Sequence, residues 1–201
     1  MKIVQKVFLA ISLILTFNYG LAQAKAPWEL NAAEARAALG LISAELTRTP
    51  DKVEALKTAG ILLQQIARKD PQREDVELAE RQLKRARELS PDDHEIAAWL
   101  GSVITMKALF ETDPGRQTLW VKVGAKLMDA AIKAVPDNLV VRLVRANNSI
   151  ELPAFLRRAR FGVEDFNYYI DACAKLSCGS AQIKEARQKL KIAQQLVTQS
   201  Q

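Results

Sequence analysis

The sequence predicts an all-α protein of about eight helices, and three observations support this fold class. Apolar residues recur three and four positions apart from Leu30 nearly to the C-terminus, which is the spacing of one helix face. No stretch shows the strict alternation of a half-buried strand. The composition is that of a globular chain, with 49% hydrophobic and 26% charged residues and only 8 Gly and 7 Pro.

Proline-containing breaks separate the predicted helices. Pro ends a helix and also disfavours helical backbone at the residue before it. The breaks are Thr49-Pro50-Asp51, Asp70-Pro71, Ser90-Pro91-Asp92, Asp113-Pro114-Gly115, Val135-Pro136-Asp137 and Leu152-Pro153. The helices are expected, in order, at residues 30–48, 52–69, 73–89, 93–111, 116–134, 139–151, 154–176 and 180–198.

Residues 1–24 have the order of a secretory signal peptide. Lys2 and Lys6 precede an apolar run at 7–17, and the small-residue triplet Ala22-Gln23-Ala24 follows. A retained transmembrane anchor is the alternative, but the run has about half of the ~20 residues that a spanning helix needs. We therefore expect cleavage between Ala24 and Lys25.

The mature chain, residues 25–201, is expected to form one domain that is periplasmic or secreted and has no membrane association. Its 27 basic and 23 acidic residues give a net charge of +4, too small an excess to indicate nucleic acid as a partner. The single histidine, His94, excludes zinc sites with several imidazoles. The chain has no phosphate-binding Gly-rich loop and no G-x-S-x-G motif, so we expect no catalytic residues, no metal and no cofactor.

A Pro-Asp phrase occurs three times along the chain. It reads Pro50-Asp51-Lys52, Pro91-Asp92-Asp93 and Pro136-Asp137-Asn138, at separations of 41 and 45 residues, which suggests a helical-hairpin repeat. Gly60 and Gly101 follow the first two prolines by ten residues, where a small residue lets a neighbouring helix approach closely. A stripe of small and large residues precedes the later prolines. It reads Ala79-x3-Leu83-x2-Ala86 and Gly124-x3-Met128-x2-Ala131.

These patterns, over residues 38–151, resemble the tetratricopeptide repeat (TPR) family, in which W-x2-L-G-x2-Y is followed by A-x3-F and a closing Pro. The resemblance implies a right-handed superhelix in which the first helix of each pair lines a concave face. On that face it would place Glu54, Lys57, Ile61, Gln64, Glu95, Ala98, Ser102, Thr105, Val140, Leu143 and Asn147. Mixed polarity of this kind suits an extended peptide or a helix from a protein partner.

A narrower resemblance covers residues 98–172. The Pro136-Asp137-Asn138 turn, the pair Arg142 and Arg145, and the segment Leu152-Pro153-Ala154-Phe155 are similar to those of a group of exported bacterial TPR-like proteins with no assigned activity. This resemblance implies the same fold and transfers no function.

Cys173 and Cys178 are the main chemical feature outside the signal peptide. Export leads to an oxidising compartment, where two thiols usually pair, so we expect a disulfide. The helix must then end near Lys175 and fold back before Gly179. Two separately buried thiols are one alternative; a redox site is another, although the spacing is not Cys-x-x-Cys.

Arginines cluster on both sides of Pro153, and two interpretations of them remain open. Guanidinium groups could hold a carboxylate or phosphate of a small anionic ligand. The ligand site would then use Arg142, Arg145, Asn147, Arg157 and Arg158. Alternatively the arginines pair with Glu164 and Asp165 in an internal salt-bridge network, which is the interpretation we favour.

The function that these observations favour is an exported helical-repeat protein that binds a protein or peptide partner in the cell envelope. Stacked helical hairpins create a concave face and offer no preformed reaction centre. A sensor or carrier of a small anionic ligand is the alternative, and a hydrolytic enzyme is a third hypothesis without positive evidence.

Overall fold

The computed structural model describes residues 25–176 and 178–200, which form eight α-helices and three short 3-10 helices. The α-helices are α1 (Ala32–Arg48), α2 (Val53–Lys69), α3 (Arg73–Leu89), α4 (His94–Met106), α5 (Pro114–Ala134), α6 (Leu139–Glu151), α7 (Ala159–Leu176) and α8 (Ser180–Gln199). The 3-10 helices are Pro27–Glu29, Lys107–Phe110 and Ala154–Leu156. The all-α prediction is confirmed.

Consecutive helices pack against each other in antiparallel pairs, and the even-numbered helices also contact one another in order from α2 to α8. The main core is formed by the five helices α2, α3, α4, α5 and α6 and includes the fully buried Leu83, Ile96 and Met128. A second core joins α6, α7 and α8 around Phe166. The even-numbered helices therefore lie side by side, and the space between them becomes the site described below.

The three Pro-Asp phrases form the same turn. In each, the backbone amide of the last residue of the phrase donates to the carbonyl of the residue before Pro. The bonds run from Lys52 to Thr49 (3.2 Å), from Asp93 to Ser90 (3.2 Å) and from Asn138 to Val135 (3.1 Å). The last residue of each phrase is the N-cap of the next even-numbered helix. In the second and third phrases, the side chain of this N-cap residue accepts hydrogen bonds from backbone N–H groups of the first turn. These bonds satisfy donors that a helix start leaves unpaired. One local signal thus starts α2, α4 and α6.

Two glycines allow helices to approach closely, as the sequence predicts. A Cβ atom at Gly101 would lie 2.6 Å from the carbonyl oxygen of Gly124, so α4 and α5 meet through bare backbone. A Cβ atom at Gly60 in α2 would collide with the Leu83 side chain of α3. Since side chains of ordinary size cannot fit there, these contacts fix the spacing of both helix pairs.

Two predicted helices are shorter than expected. The helix expected at 93–111 ends as α-helix at Met106, and its last turn tightens to a 3-10 helix, where Arg73 donates to the carbonyl of Phe110 (2.7 Å). The helix expected at 154–176 begins as α-helix only at Ala159. Its start is interrupted because Arg157 has a left-handed backbone (φ 53°), which no α-helix accommodates.

The predicted disulfide is confirmed. Cys173 and Cys178 are bonded, with their Cα atoms 5.0 Å apart, and α7 ends at Leu176, where the chain folds back toward α8. The predicted signal peptide, residues 1–24 with its cleavage after Ala24, lies outside the described residues. In the part of the chain that the structure describes, no helix has the length and apolarity needed to cross a membrane.

Candidate binding site

The arginine cluster consists of three arginines and three carboxylates from α5, α6, α7 and the residue that precedes α7. Its members are Arg142, Arg145, Arg158, Asp129, Glu164 and Asp165. Asp165 is fully buried, and both of its oxygens accept bonds from Arg145, from Nε at 2.7 Å and from Nη2 at 3.0 Å. Arg142 Nη1 donates to the same carboxylate at 2.7 Å. The geometry is that of a closed salt-bridge network.

Other donors of the cluster are engaged as well, whereas the buried Arg158 Nε has no hydrogen-bond partner among the described residues. Arg142 Nε donates to the carbonyl of Pro136 at 2.7 Å, which ties the network to the third Pro-Asp turn. Arg158 reaches Asp129 through two bonds of 2.9 and 2.8 Å. The guanidinium of Arg142 also lies 3.8 Å from the ring centroid of Tyr168, a cation–π contact.

Burial and charge act in opposite directions on the carboxyl groups of this cluster. Burial raises the pKa of Asp165, against the hydrogen bonds and charges of Arg145 and Arg142. Burial also acts to raise the pKa of Asp129, but the bonds from Arg158 and the charges of Arg158 and Arg145 outweigh it and hold the pKa below its ordinary value. The ionised form of Asp129 is therefore favoured in the folded protein.

The structure separates the residues that the sequence assigned to an anionic-ligand site. Arg142, Arg145 and Arg158 come together but face carboxylates of the protein. Arg157 is exposed and lies near Arg160 and the end of α8. Asn147 lies on another face of α6, where it lines the cavity described next. Sequence reasoning did not find Asp129, because a lone carboxylate in a helix far along the chain gives no local signal of its partner.

A cavity of about 420 Å³ lies between the even-numbered helices. Its wall is made of residues from α2, α4, α6, α7, α8 and the segment before α1. Those residues are Trp28, Glu29, Leu30, Asn31, Gln64, Gln65, Arg68, Trp99, Ser102, Val140, Leu143, Val144, Asn147, Asn148, Glu151, Phe166, Tyr169, Gln182, Glu185, Ala186 and Lys189. This volume is within the range of pockets that bury small molecules, about 300–1,000 Å³.

Residues 26–31, here called the N-terminal strap, close one side of the cavity. The ring of Trp28 stacks on that of Trp99, with centroids 6.2 Å apart. The Glu29 carboxylate accepts a bond from the amide of Ala26 (2.8 Å) and another from the side chain of Gln182 in α8. The start and the last helix of the described chain therefore meet across the cavity.

Carboxamide and hydroxyl groups form short chains of hydrogen bonds along the wall. Gln65 donates to Gln64 (2.7 Å), and Gln64 donates to Ser102 (3.2 Å), which joins α2 to α4. Asn148 donates to Thr105 (2.6 Å), which joins α6 to α4. Two other buried polar atoms of wall residues, Trp99 Nε1 and Asn147 Oδ1, have no hydrogen-bond partner among the described residues.

Each charged group of the wall is engaged by the protein. Arg68 pairs with Glu151 at 2.5 Å, and Lys189 pairs with Glu185 at 2.7 Å. Glu29 is held by Gln182 and by the strap itself. Burial, together with the charges of Glu29 and Glu185, raises the pKa of Tyr169 above its ordinary value.

Five of the residues expected on a concave face line the cavity. They are Gln64, Ser102, Val140, Leu143 and Asn147. Ile61 and Ala98 are instead buried in the core, and Thr105 lies beneath the wall, bonded to Asn148. Lys57 pairs with Asp93 (3.0 Å) and Glu95 (2.8 Å) where α2 and α4 begin, and Glu54 is exposed.

The strap and α8 contribute parts of the wall that no sequence pattern indicated. Trp28 precedes the first helix, and Gln182, Glu185 and Lys189 belong to a helix outside the residues that carry the Pro-Asp pattern. A stacking partner for Trp28 could be inferred only from the folded chain.

The sequence matches no protein-family model, no curated protein and no solved structure. Within residues 25–176 and 178–200, no group of three or more His, Cys, Asp or Glu side chains is placed to hold a metal ion.

Proposed function

We propose that this protein is an exported, TPR-like interaction module whose paired helices form a right-handed superhelix. One observation carries the proposal: the even-numbered helices line one continuous, partly polar cavity in the middle of the fold. The repeated Pro-Asp turns and the close contact at Gly101 support the same architecture. A face built from several successive helices is the surface by which stacked helical pairs bind their partners.

The arginine cluster gives less support to the alternative, a carrier of a small anion. Arg142 and Arg145 are 8% and 5% exposed, and their guanidinium groups already hold a buried carboxylate. An anion would have to displace Asp165, which is fully buried between them. The cavity on the other side of α6 is therefore the better candidate for binding.

The size of the cavity restricts what part of a partner can enter it. One turn of α-helix with its side chains fills about 400–600 Å³. The cavity of about 420 Å³ therefore accommodates a side chain, a short extended segment or at most about one turn of helix. We propose that the partner inserts an extended segment or a loop.

Photo-crosslinking from the cavity tests this function. A benzophenone amino acid replaces Gln65, which lines the cavity, and in a matched control it replaces Lys122, an exposed residue of α5 outside the wall. In intact cells of the source, the Gln65 position is expected to yield a defined crosslinked species that the Lys122 position does not. Identical products from both positions, or none from Gln65, would contradict the proposal.

Export is a separate part of the proposal. The intact mass of protein purified from the envelope or the medium is expected to correspond to a chain that begins at Lys25. A cytoplasmic protein that retains Met1 would contradict export and leave the binding proposal to be judged by the crosslinks alone.

A further inference from the structure

The charged groups on the wall of the cavity do not balance. Three carboxylates line it, against one arginine and one lysine. Arg68 pairs with Glu151 (2.5 Å). Lys189 pairs with Glu185 (2.7 Å), so each basic group of the wall already has its own carboxylate. Glu29 is the carboxylate that remains, and the wall therefore carries one negative charge without a counter-charge among the described residues.

The groups that hold Glu29 are neutral. Its carboxylate accepts hydrogen bonds from the backbone amide of Ala26 (2.8 Å) and from the side chain of Gln182. Neutral donors fix the position of a carboxylate but leave its charge uncompensated, so a cation beside it gains Coulomb energy. Burial raises the pKa of Tyr169, and the negative charge of Glu29 adds to this rise. Glu29 and Tyr169 are therefore close enough on the wall to interact.

Aromatic rings lie on the same part of the wall. Trp28 directly precedes Glu29 in the strap, and its ring stacks on that of Trp99, with centroids 6.2 Å apart. Both rings line the cavity, as does the ring of Tyr169. The face of an aromatic ring attracts cations, and the indole of Trp does so most strongly. A cation near Glu29 therefore finds a carboxylate and aromatic rings together.

We infer that the cavity binds an organic cation on an aliphatic stem, of the kind that an arginine or lysine side chain presents, with Glu29 as its counter-charge. The volume of the cavity, about 420 Å³, accommodates such a side chain. The inference rests on the proposed function for one point only, the source of the cation, which is a basic residue in the segment that the partner inserts. The preference for a cation is tested on the purified protein alone.

Two probes of the same shape and different charge test this preference. Butylguanidinium is a cation and butylurea is its neutral isostere, and each is titrated into the purified mature protein by calorimetry. We expect butylguanidinium to bind about tenfold more tightly than butylurea. Added salt should reduce this ratio, because it screens the interaction between two charges. Equal affinities, tighter binding of butylurea or no detectable binding of butylguanidinium would overturn the inference.

Glu29→Gln tests whether this carboxylate is the source of the preference. The amide oxygen of the new side chain can still accept the bond from Ala26, but the negative charge is removed. The affinity for butylguanidinium is expected to fall about fivefold, while the affinity for butylurea stays unchanged. Glu74→Gln, at an exposed residue of α3 outside the wall, is the matched control and should leave both affinities as in the wild type. An equal loss for both probes in Glu29→Gln would contradict the assignment, because the preference for the cation would then survive without the charge.

The indole resonances of the protein locate the bound cation. The chain has three tryptophans, and Trp28→Phe and Trp120→Phe variants assign their N–H signals. Butylguanidinium is expected to shift the signal of Trp28 and to leave that of Trp120, whose Nε1 donates to Glu111 (3.0 Å) outside the cavity. A Trp28 signal that does not move at saturation would place the bound cation elsewhere and overturn the inference.

A pair of peptides distinguishes a partner's side chain from a free small molecule as the source of the cation. Acetyl-Gly-Arg-Gly-amide is compared with the same peptide in which citrulline replaces arginine, and the arginine peptide is expected to bind about tenfold more tightly. Equal binding of the two peptides, with butylguanidinium still preferred over butylurea, would contradict a partner's side chain as the source and restrict the site to free small cations. Absence of crosslinks at Gln65 with intact butylguanidinium binding would contradict only the proposed function. Retained crosslinks with equal affinities of butylguanidinium and butylurea would contradict only the inference.

Discussion

The arginine cluster and the cavity occupy opposite faces of α6 and hold different kinds of polar group: paired charges in the cluster, and carboxamide, hydroxyl and indole groups together with exposed ion pairs in the cavity wall. Residues of the cluster, such as Arg142 and Arg145, lie about half a helical turn from residues of the cavity wall, such as Leu143 and Asn147. In the cluster, the guanidinium groups of Arg142 and Arg145 are paired with the buried Asp165 by short bonds, and Arg158 Nε is the buried donor left without a partner among the described residues. In the cavity, a buried donor and a buried acceptor have no partner among the described residues.

The difference indicates which polar groups contribute most to the stability of the fold. A buried charge must be paired to be tolerated, so the charged groups of the cluster stabilise the fold and are not available to a ligand. A buried polar atom without a partner is a cost that the fold does not recover by itself. The two faces of α6 should therefore respond differently to substitution.

The largest expected effect comes from breaking the cluster at its centre. Asp165→Ala leaves the buried guanidinium groups of Arg142 and Arg145 without their carboxylate, which should lower the free energy of unfolding by about 3–5 kcal/mol. Chemical denaturation followed by circular dichroism measures this loss. Asp171→Ala, an exposed carboxylate on the same helix, is the control and should change stability by less than about 0.5 kcal/mol.

The cluster should also behave as one unit. Arg145→Ala and Asp165→Ala each remove a member of the same network, so their combined loss is expected to be smaller than the sum by about 0.5–3 kcal/mol. A double-mutant cycle measures this coupling. Strictly additive losses would show that the two residues act separately.

A smaller loss is expected from separating α4 and α5. Gly101→Val inserts side-chain atoms where a Cβ would already lie 2.6 Å from the Gly124 carbonyl, so it should cost about 1–3 kcal/mol through overpacking. Because Trp99 and Ser102 flank this position and line the cavity, ligand binding should weaken as well. Gly40→Val is the control, since a Cβ there meets nothing within 4 Å. Equal stability of both variants would contradict the close approach.

On the cavity face, a substitution of similar size should cost little or nothing. Asn147→Leu removes the unpartnered acceptor and keeps the volume, so the free energy of unfolding should stay within about 1 kcal/mol of wild type or rise. Thermal and chemical unfolding measure it. A loss as large as that of Asp165→Ala would mean that Asn147 serves the fold and would remove the contrast between the two faces.

The pH dependence should show the smallest difference. Because the pKa of Asp129 is held below its ordinary value of 3.8, its ionised form contributes stability above that pH, and the contribution is lost as the pH falls through the lower, folded-state pKa. Between pH 7 and pH 3, Asp129→Asn should therefore lose less stability than wild type. Denaturation curves at several pH values test this, and parallel curves for the two proteins would contradict it.

Much of the fold could be predicted from the sequence because its signals are local. The Pro-Asp phrases specify a turn and an N-cap within four residues, and six of the eight α-helices begin and end within a few residues of their expected positions. The exceptions depend on less local causes. Arg157 adopts a left-handed backbone that its own side chain does not favour, and the end of α4 is shaped by Arg73 from another helix.

The candidate site could be predicted only in part, for the same reason. Periodicity identified residues such as Gln64 and Asn147, because they repeat on one face of α2 and α6. Trp28 and Gln182 reach the cavity from the two ends of the described chain, so their contribution depends on how the whole stack is shaped. The pairing of Asp129 with Arg158 likewise spans two helices, and no spacing rule encodes it.

The strap has a consequence for cooperativity. In a linear stack of helix pairs, each pair contacts only its neighbours, so the ends can fray while the middle stays folded. The bond between Glu29 and Gln182 instead connects the segment before α1 with α8. Releasing the strap thus removes a contact at the start of α8, so hydrogen exchange in the first turn of α8 should be faster in a Glu29→Ala variant than in the wild type.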